Sequence, residues 1–190
     1  MNAEELLKRY AAGERDFRRV NLQDVELRGV NLSEADFTEA NLNSSILKGS
    51  NLRRTIFKSA NLEFADLSHA ILDDADLSHT GLQNSLKYAS LERANLSNAT
   101  FRSGNLEYTN LRNANLQNAI LVEVSLAKAN LEGADLRGAI MGETCLDGTN
   151  LKGALVEGCN IEDGDKRNTI MPDGQVVTNP GYNPGGDDDE

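Results

Sequence analysis

Residues 17–161 repeat one pattern of apolar and polar positions every five residues. Each unit has a central large apolar residue, beginning Phe17, Leu22, Leu27 and Leu32. Two positions earlier stands a small or β-branched residue, as at Ala35, Ala60, Ala75, Ala94 and Ala134, and the residue between the two is mostly Asn or Asp. A period of five fits neither an α-helix, at 3.6, nor a strand, at 2. In a short extended segment, however, residues two apart share a side, so the small and central residues face inward together and the Asn or Asp faces out. The other residues of each unit turn a corner, and the Asn, Asp, Gly and Ser frequent there suit turns. No unit buries its two inward residues alone. The pattern therefore predicts units that wind into coils and coils that stack.

The beat breaks once. In TGLQNSLKYASL, residues 80–91, Leu82 is followed by Leu86 rather than by a residue five positions on. Asn84 is thereby both the last residue of one unit and the inward residue of the next. A buried polar group left without a partner costs about 1–3 kcal/mol, so a tightened corner with Asn84 bonded to backbone is expected there. Such a break either absorbs a deletion or re-aims the surface beside it.

The ends depart from the pattern. Residues 2–11 (NAEELLKRYA) read as a short helix with Leu6, Leu7 and Tyr10 on one side, stopping before Gly13 and covering the first coil. TIMPDGQVV, residues 169–177, sets a Pro-Asp-Gly turn between two apolar runs and reads as a hairpin closing the last coil.

Motifs such as ADLSHA, ANLQNA, ANLEGA and ADLRGA resemble the A(D/N)LxX signature of the pentapeptide-repeat family, over about 145 of the 190 residues. The resemblance implies an all-β fold, a right-handed quadrilateral parallel β-helix with four units per coil. A twenty-residue coil has support of its own, because Phe17, Phe37 and Phe57 recur at that spacing, as do Tyr88 and Tyr108, and Ile120 and Ile140. Fourteen units before the break and sixteen after it make about 7.5 coils, a rod roughly 35 Å long at ~4.8 Å per coil. The expected organisation is a capping helix and lead-in over residues 1–16, the β-helix over 17–163 and a cap segment with an acidic tail over 164–190. ELLKRYAAGERDF and TIMPDGQ resemble the ends of cytosolic cyanobacterial members of the family.

Charge changes the picture only once it is divided. Residues 1–16 carry four acids and three bases, residues 17–161 carry eighteen and fourteen, and residues 162–190 carry eight and two. The net charge of -11 is thus mostly in the C-terminal segment, and the repeat region is only -4. The chain has no apolar stretch of signal-peptide or membrane-spanning kind, which points to a soluble, cytoplasmic protein.

Candidate chemistry is sparse. No insertion interrupts the units, so no loop is available to build a catalytic cleft. His69 and His79 are expected on opposite faces. Cys145 is expected to point outward and Cys159 inward, which argues against a disulfide or a zinc pair. No cofactor, metal site or enzymatic activity is expected. Two residues after successive centres, one face carries His69, Tyr88 and Tyr108 and then Lys128, with Lys48 and Lys87 in the adjoining column. Stacked rings beside cations form the composition of a protein-binding patch, although stacking also reinforces the pairing of neighbouring coils. Ile120 and Ile140 are the second candidate patch. On another face Glu34, Arg54, Asp74 and Arg93 alternate in sign, as do Arg112, Glu132 and Lys152, and these read as a solvated ladder of charge pairs.

The function expected is that of a non-catalytic protein-protein interaction rod, monomeric or an end-to-end homodimer, with a partner the sequence does not name. The alternative implied by the family is a DNA mimic acting on a type II topoisomerase such as DNA gyrase. The weak charge of the repeat region and its bases Arg18, Arg19, Arg28, Lys48, Arg53, Arg54 and Lys58 weigh against both that role and nucleic-acid binding.

Overall fold

The computed structural model describes residues 1–83, 85–161 and 165–178. Asn84, with its expected backbone bonds, and the acidic residues beyond 178 lie outside the described residues. Within them, nearly every five-residue unit contributes one short extended step and one turn, and steps pair in parallel with steps about twenty residues away; the unit centred on Ile161 makes no such bridge. The bridges form four columns. One runs Asp16, Asp36, Ile56, Asp76, Asn95, Asn115, Asp135, Leu155, and another runs Glu26, Ile46, Asp66, Ser85, Asn105, Ser125, Cys145, Asp165. Longer strands form where one column extends by a residue or two. Strands β1 (Gly81–Leu82), β2 (Thr100–Arg102) and β3 (Ile120–Val122) make a parallel sheet in that order.

The break in the beat is taken up in one circuit. Asp66 pairs with Ser85, Ile71 with Ser90, Asp76 with Asn95, and Gly81 with Thr100, each nineteen residues apart. All four columns then resume a separation of twenty. The missing residue therefore shortens one circuit and leaves the central residues on either side of it inward: Leu82, Leu86 and Leu91 are all fully buried.

The central residues form one continuous core from Phe17 to Ile161, with Val156 half-buried against it, and the alanines two positions earlier join it. Phe17, Phe37 and Phe57 stack within it, with ring centroids 5.5 Å apart at both steps. Hydroxyl residues replace alanine at several small positions, and each bonds a backbone carbonyl. The Thr144 hydroxyl donates to Leu121 O at 2.6 Å, that of Thr149 to Leu126 O at 2.8 Å, and that of Ser50 to Leu27 O at 2.7 Å. These bonds let a polar side chain sit in the core without an orphaned donor.

The corners explain the outward residues. The Asn or Asp before the centre accepts from the backbone N–H two residues on, as Asn31 does from Ser33 at 3.2 Å and Asp76 from Ser78 at 2.9 Å. This is an Asx turn, the physical reason for Asn and Asp at that position. The second residue after the centre has a left-handed backbone in almost every unit, with φ near +60° at Glu34, Phe64, His69, Tyr88 and Lys128.

Helix α1 (Ala3–Ala11) is capped by Asn2, whose side chain accepts from Glu5 N–H at 2.8 Å. It sinks Leu6 completely into the core, with Leu7 and Tyr10 packed partly buried against it. The Tyr10 hydroxyl donates to Ser33 O at 2.9 Å. At the other end β4 (Thr169–Ile170) and β5 (Val176–Val177) form an antiparallel hairpin around Pro172-Asp173-Gly174. Its first strand also pairs with Asn150, which continues the parallel column to the hairpin.

The expected charge ladder resolves into separate pairs. Arg54 meets Glu34 at 3.3 Å, Arg93 meets Asp74 at 2.7 Å and Arg112 approaches Glu132 at 3.7 Å. Other arginines turn back to the acid two residues earlier in their own unit, as Arg18 does to Asp16 and Arg137 to Asp135. A single unit places both groups on one face, so the pair forms without help from the next circuit.

Candidate functional site

One outward column departs from this pattern of turns and local charge pairs. His69 and Tyr88 stack with centroids 5.0 Å apart and planes inclined by 19°, and Tyr88 and Tyr108 stack at 4.9 Å and 19°. The residues are nineteen and then twenty apart, the first step falling across the shortened circuit. Each ring sits at a left-handed corner, with φ of 59°, 61° and 58°. That corner accepts Arg, Glu, Ser and Asn elsewhere along the chain, so the backbone does not call for aromatic residues here. The rings are nevertheless well exposed, Tyr88 at 47% and Tyr108 at 41%.

Cations border the stack. Lys87 Nζ lies 5.5 Å from the Tyr88 centroid and 5.7 Å from that of Tyr108, and bonds Glu107 Oε2 at 2.7 Å. Glu107 in turn accepts from Ser125 Oγ at 3.2 Å. The Glu107 carboxylate raises the Lys87 pKa, and the Lys87 ammonium holds that of Glu107 below the usual carboxylate range. Lys128 Nζ donates to Tyr108 Oη at 3.0 Å and stands 5.2 Å from its ring centroid. This contact raises the Lys128 pKa and closes that end of the stack. All five residues proposed from the sequence for the first patch are thus one connected group.

Ile120 and Ile140 are bridged neighbours on a different column, half-buried and 49% exposed respectively. Cys145 and Cys159 are unpaired thiols, both half-buried, and burial pushes that of Cys159 up. Among the described residues no group of three or more His, Cys, Asp or Glu is arranged to hold a metal ion. Nor is any described helix long and apolar enough to cross a membrane.

Two features were missed in the sequence. Phe64 is 63% exposed at the same corner position on another face, and only its place in the five-residue count could have marked it. Glu107, which fixes Lys87, follows a centre by one residue and looked like any solvated acid.

The sequence model for pentapeptide repeats matches eight copies, over residues 16–54, 55–85, 85–118 and 114–153. Among solved structures, HetL, a pentapeptide repeat protein involved in heterocyst differentiation regulation from the cyanobacterium Nostoc sp. strain PCC 7120, is 30% identical; the alignment covers 93% of this chain and 100% of that one, with a TM-score of 0.28. Rfr23, from the cyanobacterium Cyanothece 51142, is 29% identical over 88% of this chain and 98% of its own, with a TM-score of 0.35. QnrB1, a plasmid-mediated fluoroquinolone resistance protein, is 18% identical over 83% and 87%, with a TM-score of 0.35. No curated protein matches the chain.

Proposed function

The chain belongs to the pentapeptide-repeat family, and we propose that it serves as a non-catalytic protein-protein interaction rod in the cytoplasm. In this reading the repeats close into a right-handed quadrilateral β-helix of about 7.5 coils, capped by α1 and by the C-terminal hairpin, and act as a monomer or end-to-end homodimer. The contact surface is the group His69, Lys87, Tyr88, Tyr108 and Lys128.

The observation that carries the reading is the exposed stack His69, Tyr88 and Tyr108. Stacking is worth about 0.5–1.5 kcal/mol per pair, and that gain accounts for the rings holding one another. It does not call for keeping them in solvent on a rod that already has a continuous aliphatic core. Tyr is among the few residue types that dominate the energy of protein interfaces.

The test is affinity capture from the native host, comparing the wild type with a His69→Ala, Tyr88→Ala, Tyr108→Ala variant. A partner retained by the wild type and lost by the variant is the expected result. A variant that captures the same proteins in the same amounts removes the surface and leaves Ile120 and Ile140 as the next candidate.

A further inference from the structure

The aromatic stack has two unlike ends. Lys128 closes the Tyr108 end, whereas at the His69 end the next two positions of the column are Gly49 and Gly29. Their place in the column follows from the backbone bonds. Gly49 N–H donates to Ser68 O and Gly29 N–H to Lys48 O, both at 2.9 Å, as His69 N–H donates to Lys87 O at 3.0 Å. Both glycines are exposed, with φ of +68° and +65°, and a Cβ built on either meets nothing within 4 Å. The outer face of the exposed His69 ring therefore looks onto open steps of the rod, where a planar group spaced like Tyr88 would stack directly. Lys48 borders these steps, and its ammonium forms no ion pair among the described residues.

We propose that the open step over Gly49 receives an aromatic side chain of the partner protein, flanked by an acidic residue that pairs with Lys48. This rests on the interaction-rod reading and specifies the chemistry of its partner. The ring would become the next member of the stack, on the outer face of His69, and the neighbouring carboxylate would supply the anion that Lys48 lacks. A protein segment fits better than a nucleic acid strand. A strand needs a run of free cations along its phosphates, but here Arg28 is already engaged by Glu26 at 3.1 Å and Lys87 by Glu107. Glu26 and Asp66 also border the same face.

The probe is the capped tripeptide Asp-Trp-Asp, titrated with the full chain. The protein has no Trp, so tryptophan emission reports on the peptide alone. Saturable binding to the wild type is expected. It should weaken roughly threefold to tenfold in His69→Ala, the range that ring stacking of this order carries. Gly49→Tyr should abolish binding by filling the step from within, at a corner where Tyr88 and Tyr108 already hold the same backbone. Lys48→Glu should weaken it as well, and Lys-Trp-Lys should bind less well than Asp-Trp-Asp. Circular dichroism of each variant keeps loss of binding apart from loss of fold, and His69→Ala is read should Gly49→Tyr misfold. Absence of binding to the wild type, equal binding by folded Gly49→Tyr, or displacement of the peptide by an oligothymidylate at lower concentration would each overturn the proposal. If Gly49→Tyr retains a captured partner that the triple-alanine variant loses, the open step is wrong and the interaction reading stands. If the triple-alanine variant loses nothing, the aromatic surface itself fails, the open step with it, and Ile120 and Ile140 become the next candidate.

Discussion

Asp66 pairs with Ser85, nineteen residues on, in the same column where Ile46 pairs with Asp66, twenty residues on. The parallel ladder on either side of the break is otherwise alike, and the circuit before it pairs with the circuit after it on all four columns. The missing residue is therefore absorbed between Leu82 and Leu86 and nowhere else.

Inserting one alanine after Asn84 restores a separation of twenty in every column while keeping Tyr88 over His69. The expected result is an unchanged circular dichroism spectrum and a Tm within about 4 °C of wild type, which for a domain of this size is about 1 kcal/mol. Partner capture should be retained. A loss of capture equal to that of the triple-alanine variant, with the fold intact, would show that the short circuit sets the aim of the rings.

Leu111 is fully buried near the middle of the core. Leu111→Asp places a carboxylate among aliphatic side chains, and the neighbouring carbonyls can only accept hydrogen bonds. Burying an unpaired charge costs several kcal/mol, and in a stacked array the loss spreads to adjoining circuits. The Tm should fall by about 10 °C or more, for a loss of roughly 3 kcal/mol or more. A variant that melts within a few degrees of wild type would contradict the inward assignment.

The spacing of Phe17, Phe37 and Phe57 showed the twenty-residue circuit because an unbroken core repeats the same demand at each step. The Asn and Asp positions were legible as turn residues for a similar reason, since each makes the same local bond. The left-handed corners were not legible, because Phe64, His69 and Glu143 occupy them as readily as glycine does and leave no compositional mark. Charge partners were only partly legible. Arg18, one residue after a centre, takes the acid in its own unit and also approaches Asp36 at 3.8 Å, whereas Arg19, at the left-handed corner, reaches Glu39 in the next circuit at 2.7 Å. The residue before the centre decides the first kind: Arg18 and Arg137 have an acid there, whereas Arg53 and Arg112 have Asn51 and Asn110 and cross to Asp73 and Glu132 in the next circuit.

Acid should destabilise the fold from a defined point. Hydrogen bonds from Arg18 hold the Asp16 carboxyl down at about 2, and those from Arg137 do the same for Asp135, also at about 2. Arg93 lowers Asp74, Arg19 lowers Glu39 and Lys87 lowers Glu107. A carboxyl whose folded pKa lies below its unfolded value of about 4 stabilises the fold above that value and loses this contribution as pH falls through the folded one. Thermal melts should therefore show the loss from these groups below about pH 4, continuing to about pH 2. These pairs are largely exposed, so added salt should shrink the effect. A Tm that climbs steadily between pH 4 and 2 would contradict the pairing.

Purified protein in excess should leave DNA gyrase supercoiling uninhibited. A DNA surrogate must present unpaired negative charge at something like the density of a duplex, one charge per ~1.7 Å of axis. Seven ladder steps at ~4.8 Å span roughly 34 Å, a length over which a duplex carries about 20 charges. Residues 17–161 carry a net charge of only -4. Many of their acids are also occupied: Arg28 holds Glu26, Arg53 holds Asp73, Arg54 holds Glu34 and Arg93 holds Asp74. Asp73 is nearly buried and further engaged by Ser90 Oγ at 2.5 Å and by the Glu92 N–H at 3.2 Å, so it presents little charge to a partner. The assay has a clear converse, because inhibition that rises with protein concentration and disappears in Leu111→Asp would make the DNA-mimic role the better account of the rod.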